Sequence, residues 1–269
     1  MERVVFANSW KQVLAENGLK TFRDIYYCRN KKRINSNHRR NVSIIHLKVG
    51  GEEKRFYLKR FRHSHLKDLI FIFLNVGRFY SQAAYEWSNL KLLRKNNIGA
   101  PSRVCFGEQF RLGLERRAFI ITEELKGQCL KDFIVQNYEK LPVPEKEKII
   151  ISLANTIKKI HRAGISLPDL YVWHIFISKD KNVHGDDEYS FAFLDLNRMK
   201  RHVNSENERI KNLGRLHYSM IDEYFDDSMR RLLIETYAES AGKKEINKLI
   251  RRVKRYSKKY SKRRKTKQY

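Results

Sequence analysis

Four charged side chains stand where their neighbours are apolar or where a turn residue would serve. Lys59 interrupts the strand-like run Phe56-Tyr57-Leu58, and Glu86 lies between Tyr85 and Trp87 on a helical pattern. Asp169 follows a glycine that closes a helical pattern, and Asp195 is set in Phe191-Ala192-Phe193-Leu194-Asp195-Leu196. A carboxylate in an apolar run costs free energy unless a cation or a metal accompanies it. Singly, each has an ordinary reading: a strand lysine snorkels, a helix glutamate is solvated, an aspartate makes a turn. Their order along the chain is that required for phosphoryl transfer. That chemistry needs a strand lysine on nucleotide phosphates and a helix glutamate holding it. It also needs an aspartate on the acceptor hydroxyl and a second aspartate on magnesium.

The elements that must position these residues read from periodicity. Val42–Val49 and Lys54–Phe61 alternate as strands, and Gly50-Gly51 between them signals a hairpin. Tyr26–Arg29 reads as an earlier strand. Ser81–Lys95 is helical, with Ala84, Trp87, Leu90 and Leu93 recurring, and Asn97, Gly99 and Pro101 end it. Strands follow at Ser102–Gly107 and Arg117–Glu123, then a short connector at Leu125–Gly127. The second half opens with helices over Leu130–Asn137 and, after Pro142 and Pro144, over Lys146–Ala163. The latter buries Ile150, Leu153, Ala154, Ile157, Ile160 and His161, with Gly164 as its cap. Strands at Trp173–Ser178 and Phe191–Leu196 flank a polar loop over Lys179–Tyr189, and Asn207–Ile250 is mostly helical. The expected class is α+β with a two-lobed, protein-kinase-like plan. Its divisions are 1–124 (a sheet with one helix, for nucleotide phosphates), 125–242 (catalytic and metal loops) and 243–269 (a basic tail).

Several stretches are similar to the lipopolysaccharide kinases, relatives of protein kinases that phosphorylate Kdo or heptose of the lipopolysaccharide inner core. Phe56–Arg62 resembles the strand with its lysine, Tyr85-Glu86-Trp87 the helix glutamate, and Phe119–Leu125 the run into the adenine hinge. His161–Ile177 resembles an Asp-x-Tyr-x-x-His-Phe catalytic loop, Phe193–Met199 an Asp-Leu-His-Arg metal motif, and Leu213–Leu216 a later helix start. The resemblance covers roughly residues 24–220.

It implies that Lys59 contacts the α/β-phosphates and pairs with Glu86, that Glu123–Leu125 offers backbone groups to adenine, and that Asp169 orients the acceptor hydroxyl. His174, five residues after Asp169 where kinases place an asparagine, would hold magnesium with Asp195. Imidazole is a softer partner for that ion than an amide oxygen. Arg198 would neutralise charge on the acceptor or stay structural. Three departures stand out. Leu167-Pro168 replaces His-Arg before the aspartate, Asn197 replaces the histidine of the metal motif, and no G-x-G-x-x-G precedes Lys59. Instead Arg29–Asn41, with Arg39 and Arg40, offers basic side chains for phosphates. ATP and Mg2+ are the implied cofactors.

Composition narrows the partners. The 269 residues carry 57 Lys+Arg against 30 Asp+Glu, a formal net charge of +27. With 41% hydrophobic residues the chain can build a core, and three cysteines (Cys28, Cys105, Cys129) are too scattered for a disulfide framework or zinc site. From Lys243 to Tyr269 there are 14 Lys/Arg and one acid, Glu245, so +13 of the +27 lies there. Ile246, Leu249, Ile250 and Val253 make the first half of that tail a basic amphipathic helix, with disorder expected after Tyr256. The strongest apolar run, Leu69–Val76, is too short to span a bilayer, and Phe71, Phe73 and Leu74 within it are expected in the core, with contact to the bilayer as the alternative reading.

The reading is an ATP-dependent kinase for a lipopolysaccharide core precursor. It is expected as a monomer, cytoplasmic and peripheral on the inner face of the inner membrane, with its tail on anionic lipid. Two alternatives remain. One is a binding scaffold of the same fold, which Leu167-Pro168 favours. The other is a basic nucleic-acid-binding protein, for which no module is visible, so nucleic acid is not an expected partner.

Overall fold

The computed structural model describes all residues except 1, 8, 30–31, 37–38, 63–65, 112–113, 182–186 and 263–269, and leaves out the side chains at 33, 35–36 and 187. The chain divides into two compact units. The first comprises 1–92 and 101–125, and the second 93–100 and 126–269.

The first unit runs β1 (Glu2–Phe6), α1 (Trp10–Glu16), α2 (Phe22–Tyr26), β2 (Lys32–Ser36), β3 (Arg40–Val49), β4 (Glu52–Arg62) and α3 (Leu66–Val76). It continues with most of α4 (Gln82–Lys95), then β5 (Arg103–Arg111) and β6 (Leu114–Glu123). Its described strands form one antiparallel sheet in the order β1-β5-β6-β4-β3-β2. The expected Gly50-Gly51 hairpin joins β3 and β4, both glycines having positive φ. Tyr26–Arg29 is not a strand. Tyr26 closes α2, whose start is fixed by a reciprocal cap in which the Asp24 amide donates to Thr21 Oγ1 and the Thr21 amide to Asp24 Oδ2. Phe22, Ile25, Leu14, Ile45, Phe56, Leu58 and Phe119 bury together on one sheet face. The two-residue period of β4 puts Phe56 and Leu58 in that core and Tyr57 and Lys59 on the opposite face, so Lys59 does not interrupt the core. Polar side chains also enter this core among the described residues. Arg60 is 2% exposed and donates to the Tyr26 carbonyl (2.6 Å), Asn41 Oδ1 (3.3 Å) and Ser43 Oγ (3.4 Å).

The second unit contains β7 (Gln128–Cys129), α5 (Leu130–Asn137), α6 (Val143–Arg162), β8 (Ile175–Lys181), β9 (Asp187–Phe193), α7 (Glu206–Ser219), α8 (Asp227–Tyr237) and α9 (Lys243–Ser261). The helix expected from Lys146 starts at Val143, because proline is tolerated in a first turn whose amides have no helical partner. Its predicted stripe is buried, together with Ile149, and Gly164 (φ +69°) follows its C-cap. Strands β8 and β9 pair antiparallel and take in much of the stretch expected as a polar loop; 182–186 lie outside the described residues. Phe191–Leu196 is not strand throughout. Strand β9 stops at Phe193, and Asp195 has a left-handed backbone (φ 54°, ψ 60°).

The tail also differs from expectation. Helix α9 continues past Tyr256 to Ser261, because Val253, Ser257 and the rings of Tyr256 and Tyr260 pack inward. The lysines and arginines between them point outward. The tail therefore belongs to the second unit rather than standing apart. Residues 93–100, placed by sequence with the first lobe, belong to the second unit as well.

Candidate active site

In the first unit, Lys59 Nζ lies 3.0 Å from Glu86 Oε2 and 3.2 Å from Oε1. Both side chains are largely buried, at 15% and 10% exposure. Helix α4 is aimed by its start, where Ser81 Oγ accepts from the Ala84 amide and the Glu115 carboxylate accepts from the Gln82 amide at 2.9 Å. Lys59 also lies 5.6 Å from the Phe61 ring centroid, and the Arg40 guanidinium approaches the same ring at 5.9 Å. The antiparallel register pairs Val42 with Lys59 and Arg40 with Phe61, so Arg40 lies on the same sheet face as the lysine. Arg39 is half-buried, and its carbonyl accepts from the Arg62 amide at 2.9 Å. At the end of β6 the Glu123 amide donates to the Ser102 carbonyl at 3.0 Å, so this N–H is used within the protein. The neighbouring Glu124 carboxylate is held by Arg55 (2.5 Å) and the Tyr57 hydroxyl (3.4 Å), a clamp that precedes Leu125 and that sequence reasoning missed.

In the second unit, Asp169, His174 and Asp195 line one recess with Leu170, Ile175 and Met199. His174 Nδ1 lies 2.8 Å from the Asp169 carbonyl. A carbonyl only accepts, so Nδ1 carries the proton and, in the neutral ring, Nε2 keeps its lone pair. The Leu194 amide donates to the His174 carbonyl at 2.9 Å, tying the two loops together. Asn197 Nδ2 donates to Asp195 Oδ1 at 3.0 Å, so the amide that replaces the family histidine orients the aspartate without titrating. Arg198 Nη1 lies 3.4 Å from Asp169 Oδ1. With Arg198 60% exposed, this pair is solvent-screened and easily exchanged for a ligand.

Behind the recess is a hub that the sequence did not disclose. Asn212 of α7 is fully buried. Its Oδ1 accepts from the Leu167 amide at 2.7 Å and lies 3.2 Å from His161 Nε2, while Nδ2 donates to Ser166 Oγ at 3.0 Å. Ser219 Oγ accepts from the Val172 amide at 3.1 Å. The loop that carries Leu167-Pro168 is therefore braced by side chains of α7. Because Asn212 Oδ1 accepts from Nε2, His161 Nδ1 accepts from the Tyr237 hydroxyl at 2.8 Å. Burial lowers the His161 pKa to about 4, so the ring stays neutral. Tyr171 stacks on Trp173 (centroids 4.7 Å, planes at 10°) and its hydroxyl donates to that of Tyr260 at 2.5 Å, so α9 reaches the loop that follows Asp169. The only sequence-level signal for Asn212 was its place beside Ile210, Leu213 and Leu216.

Magnesium is bound by one or two carboxylates completed by substrate phosphates. The recess offers the Asp169 and Asp195 carboxylates and the His174 Nε2 lone pair, and these fit that requirement. Among the described residues no group of three or more His, Cys, Asp or Glu is placed to hold a metal ion.

The profile of the lipopolysaccharide kinase (Kdo/WaaP) family matches residues 14–256. The chain belongs to this family. It is by that membership an ATP-using lipopolysaccharide kinase, which settles the enzyme reading over the scaffold. Over 191 residues it is 27% identical to the lipopolysaccharide core heptose(I) kinase WaaP of Pseudomonas aeruginosa, covering 65% of this chain and 71% of that protein. The heptose(I) kinase WaaP of Escherichia coli is 29% identical over 147 residues, 54% of this chain and about half (55%) of that protein. A solved structure described as WaaP in complex with acyl carrier protein superposes with a TM-score of 0.71 at 23% identity, covering 96% of this chain and 98% of that one. This likeness shows the fold of the lipopolysaccharide kinase to be the expected protein-kinase-like α+β arrangement.

Proposed function

We propose that this lipopolysaccharide kinase transfers the γ-phosphoryl of ATP to a heptose hydroxyl of the inner core. The heptose kinases among its relatives favour heptose over Kdo. The observation that carries the reading is the convergence of Asp169, His174 and Asp195 on one recess. Asp169 orients the acceptor hydroxyl and takes its proton as the oxygen attacks phosphorus. Arg198 exchanges its pairing with Asp169 for charge on the acceptor. Lys59, held by Glu86, grips the α/β-phosphates, and Arg40 and Arg39 add charge beside it. Backbone groups of Glu123 and Leu125 other than the Glu123 amide meet adenine. Asp195 and the His174 Nε2 lone pair would hold Mg2+, which when bound neutralises charge on the transferred phosphoryl group.

Helix α9 serves as the tether, with Lys244, Lys248, Arg251, Arg255, Lys258 and Lys259 exposed along it. Each near an anionic bilayer contributes about 1 kcal/mol. The working form is a monomer on the inner face of the inner membrane. A second candidate partner is acyl carrier protein, as in the solved relative. The test is mass spectrometry of lipopolysaccharide core incubated with ATP, Mg2+ and the purified protein. Wild type adds one phosphoryl group per core, and Asp169→Asn and Asp195→Ala do not. A core left unphosphorylated by the wild type, or phosphorylated equally by Asp195→Ala, overturns the reading.

A further inference from the structure

Helix α3 is apolar on both of its faces. Leu69 and Ile72 (8% and 2% exposed) bury one face, and Phe71 meets the Tyr85 ring edge-on at 6.2 Å. Asn75 hydrogen-bonds the Tyr85 hydroxyl, which fixes the helix on α4. The opposite face carries Leu66, Ile70, Phe73 and Leu74 at spacings of four, three and one, all within about a third of the helix circumference. They are 66%, 47%, 41% and 78% exposed, and Phe79, 72% exposed, stacks on Phe73 at 4.6 Å. These five lie within 14 consecutive residues, a density that scattered surface leucines do not reach. The expectation that Phe73 and Leu74 lie in the core is therefore wrong. An amphipathic helix needs only one buried stripe, and the second stripe here has no protein to cover it among the described residues.

We infer that this second face of α3 is a bilayer-insertion surface, seated at the boundary between anionic headgroups and acyl chains. Three observations favour lipid. The patch is apolar and lacks the hydrogen-bonding groups of a specific protein interface. Arg62, Lys67 and Arg78 are exposed at its two ends, with Asp68 the acid beside them, which suits an anionic headgroup layer. The acceptor class is an amphiphile resident in a membrane, and here the inference rests on the kinase reading. The arrangement is that of an interfacial helix, whose apolar face enters by about 5–10 Å while cations stay with the phosphates. The +13 tail is a charge tether, whereas α3 supplies the part of the binding that salt does not screen.

The test is flotation of the full chain with vesicles of phosphatidylethanolamine and phosphatidylglycerol, at low and at high salt. Wild type should co-float at both. Phe73→Glu with Leu74→Glu should cut the bound fraction at high salt about tenfold or more, burial of two large apolar side chains being lost. Both side chains are exposed, so an unchanged melting temperature certifies the variant as folded. Phosphorylation of a delipidated core oligosaccharide should be equal in the two proteins, which keeps failure of the kinase reading distinguishable from failure of this one. Three results would overturn the inference. One is binding abolished by salt in the wild type. Another is equal flotation of wild type and variant. The third is a wild type that ignores vesicles but uses this face for acyl carrier protein or a second copy, seen as complexes the variant loses.

Discussion

Asp195 and Lys59 owe their positions to different kinds of constraint. Lys59 is placed by strand periodicity and by an ion pair shielded from water. Removing Glu86 takes from a largely buried cation the carboxylate that lies 3.0 Å away. We expect Glu86→Gln to cost about 3 kcal/mol by denaturant titration, the low end for a buried pair because some exposure remains. The double variant Lys59→Met, Glu86→Gln should be less destabilised than the sum of the singles. Additive losses would show that the pair contributes little. Asp195 is placed instead by a left-handed backbone and by Asn197, neither of which has a pattern a reader of sequence can see. Asn212 is the harder case. Asn212→Ala strands the buried Leu167 amide and takes a partner from His161. The expected cost is about 1–3 kcal/mol, with kcat falling while KM for ATP stays near the wild-type value. A variant with normal kcat would mean that the catalytic loop holds its shape without the hub.

At the scale of elements, the sequence disclosed what burial dictates and missed what is decided by contact between distant segments. The β3–β4 hairpin, α4, α5 and the stripe of α6 follow from alternation, 3.6-residue periodicity and glycine. The strand expected at Tyr26–Arg29 fails because a capping box outweighs β-propensity over four residues. Helix α9 runs on past Tyr256 to Ser261, against expectation, because its anchors are tyrosines whose partners lie about 40 to 90 residues earlier, in α7 and the loop after Asp169, while 263–269 lie outside the described residues. Gly214 shows how close that docking is. A Cβ there would come within 2.6 Å of the Tyr256 ring. Ala is the better helix former by about 1 kcal/mol, yet Gly214→Ala should destabilise, because α9 must shift to admit the methyl group. A raised melting temperature for that variant would show that α9 is loosely held. For the same reason, truncation after Gly242 should lower stability as well as vesicle binding, which loss of a free tail would not do.

At the scale of the whole molecule, two buried histidines set how stability responds to pH. Burial lowers His161 to about 4. Burial first, then the nearby Arg230 and Lys254, lowers His217 to about 4 as well. The unfolded chain binds a proton at each near pH 6.5, and the folded chain does not. Folding therefore draws its full benefit from the neutral rings above pH 6.5 and loses it as the pH falls toward 4. Each histidine removes about 1.4 kcal/mol per pH unit across that window, or about 2 kcal/mol by pH 5. Carboxylates held down by hydroxyl groups, Glu145 by Tyr189 and Asp226 by Ser228, contribute their own loss only below their ordinary values of 4.5 and 3.8. Stability by urea titration should thus be flat from pH 8 to 7 and fall between pH 6.5 and 5, before any carboxylate matters. His217→Gln should remove about half of that fall. A flat profile down to pH 5 would mean that both imidazoles can take up protons in the folded protein, and the neutral tautomer that braces the catalytic loop through Asn212 would lose its basis.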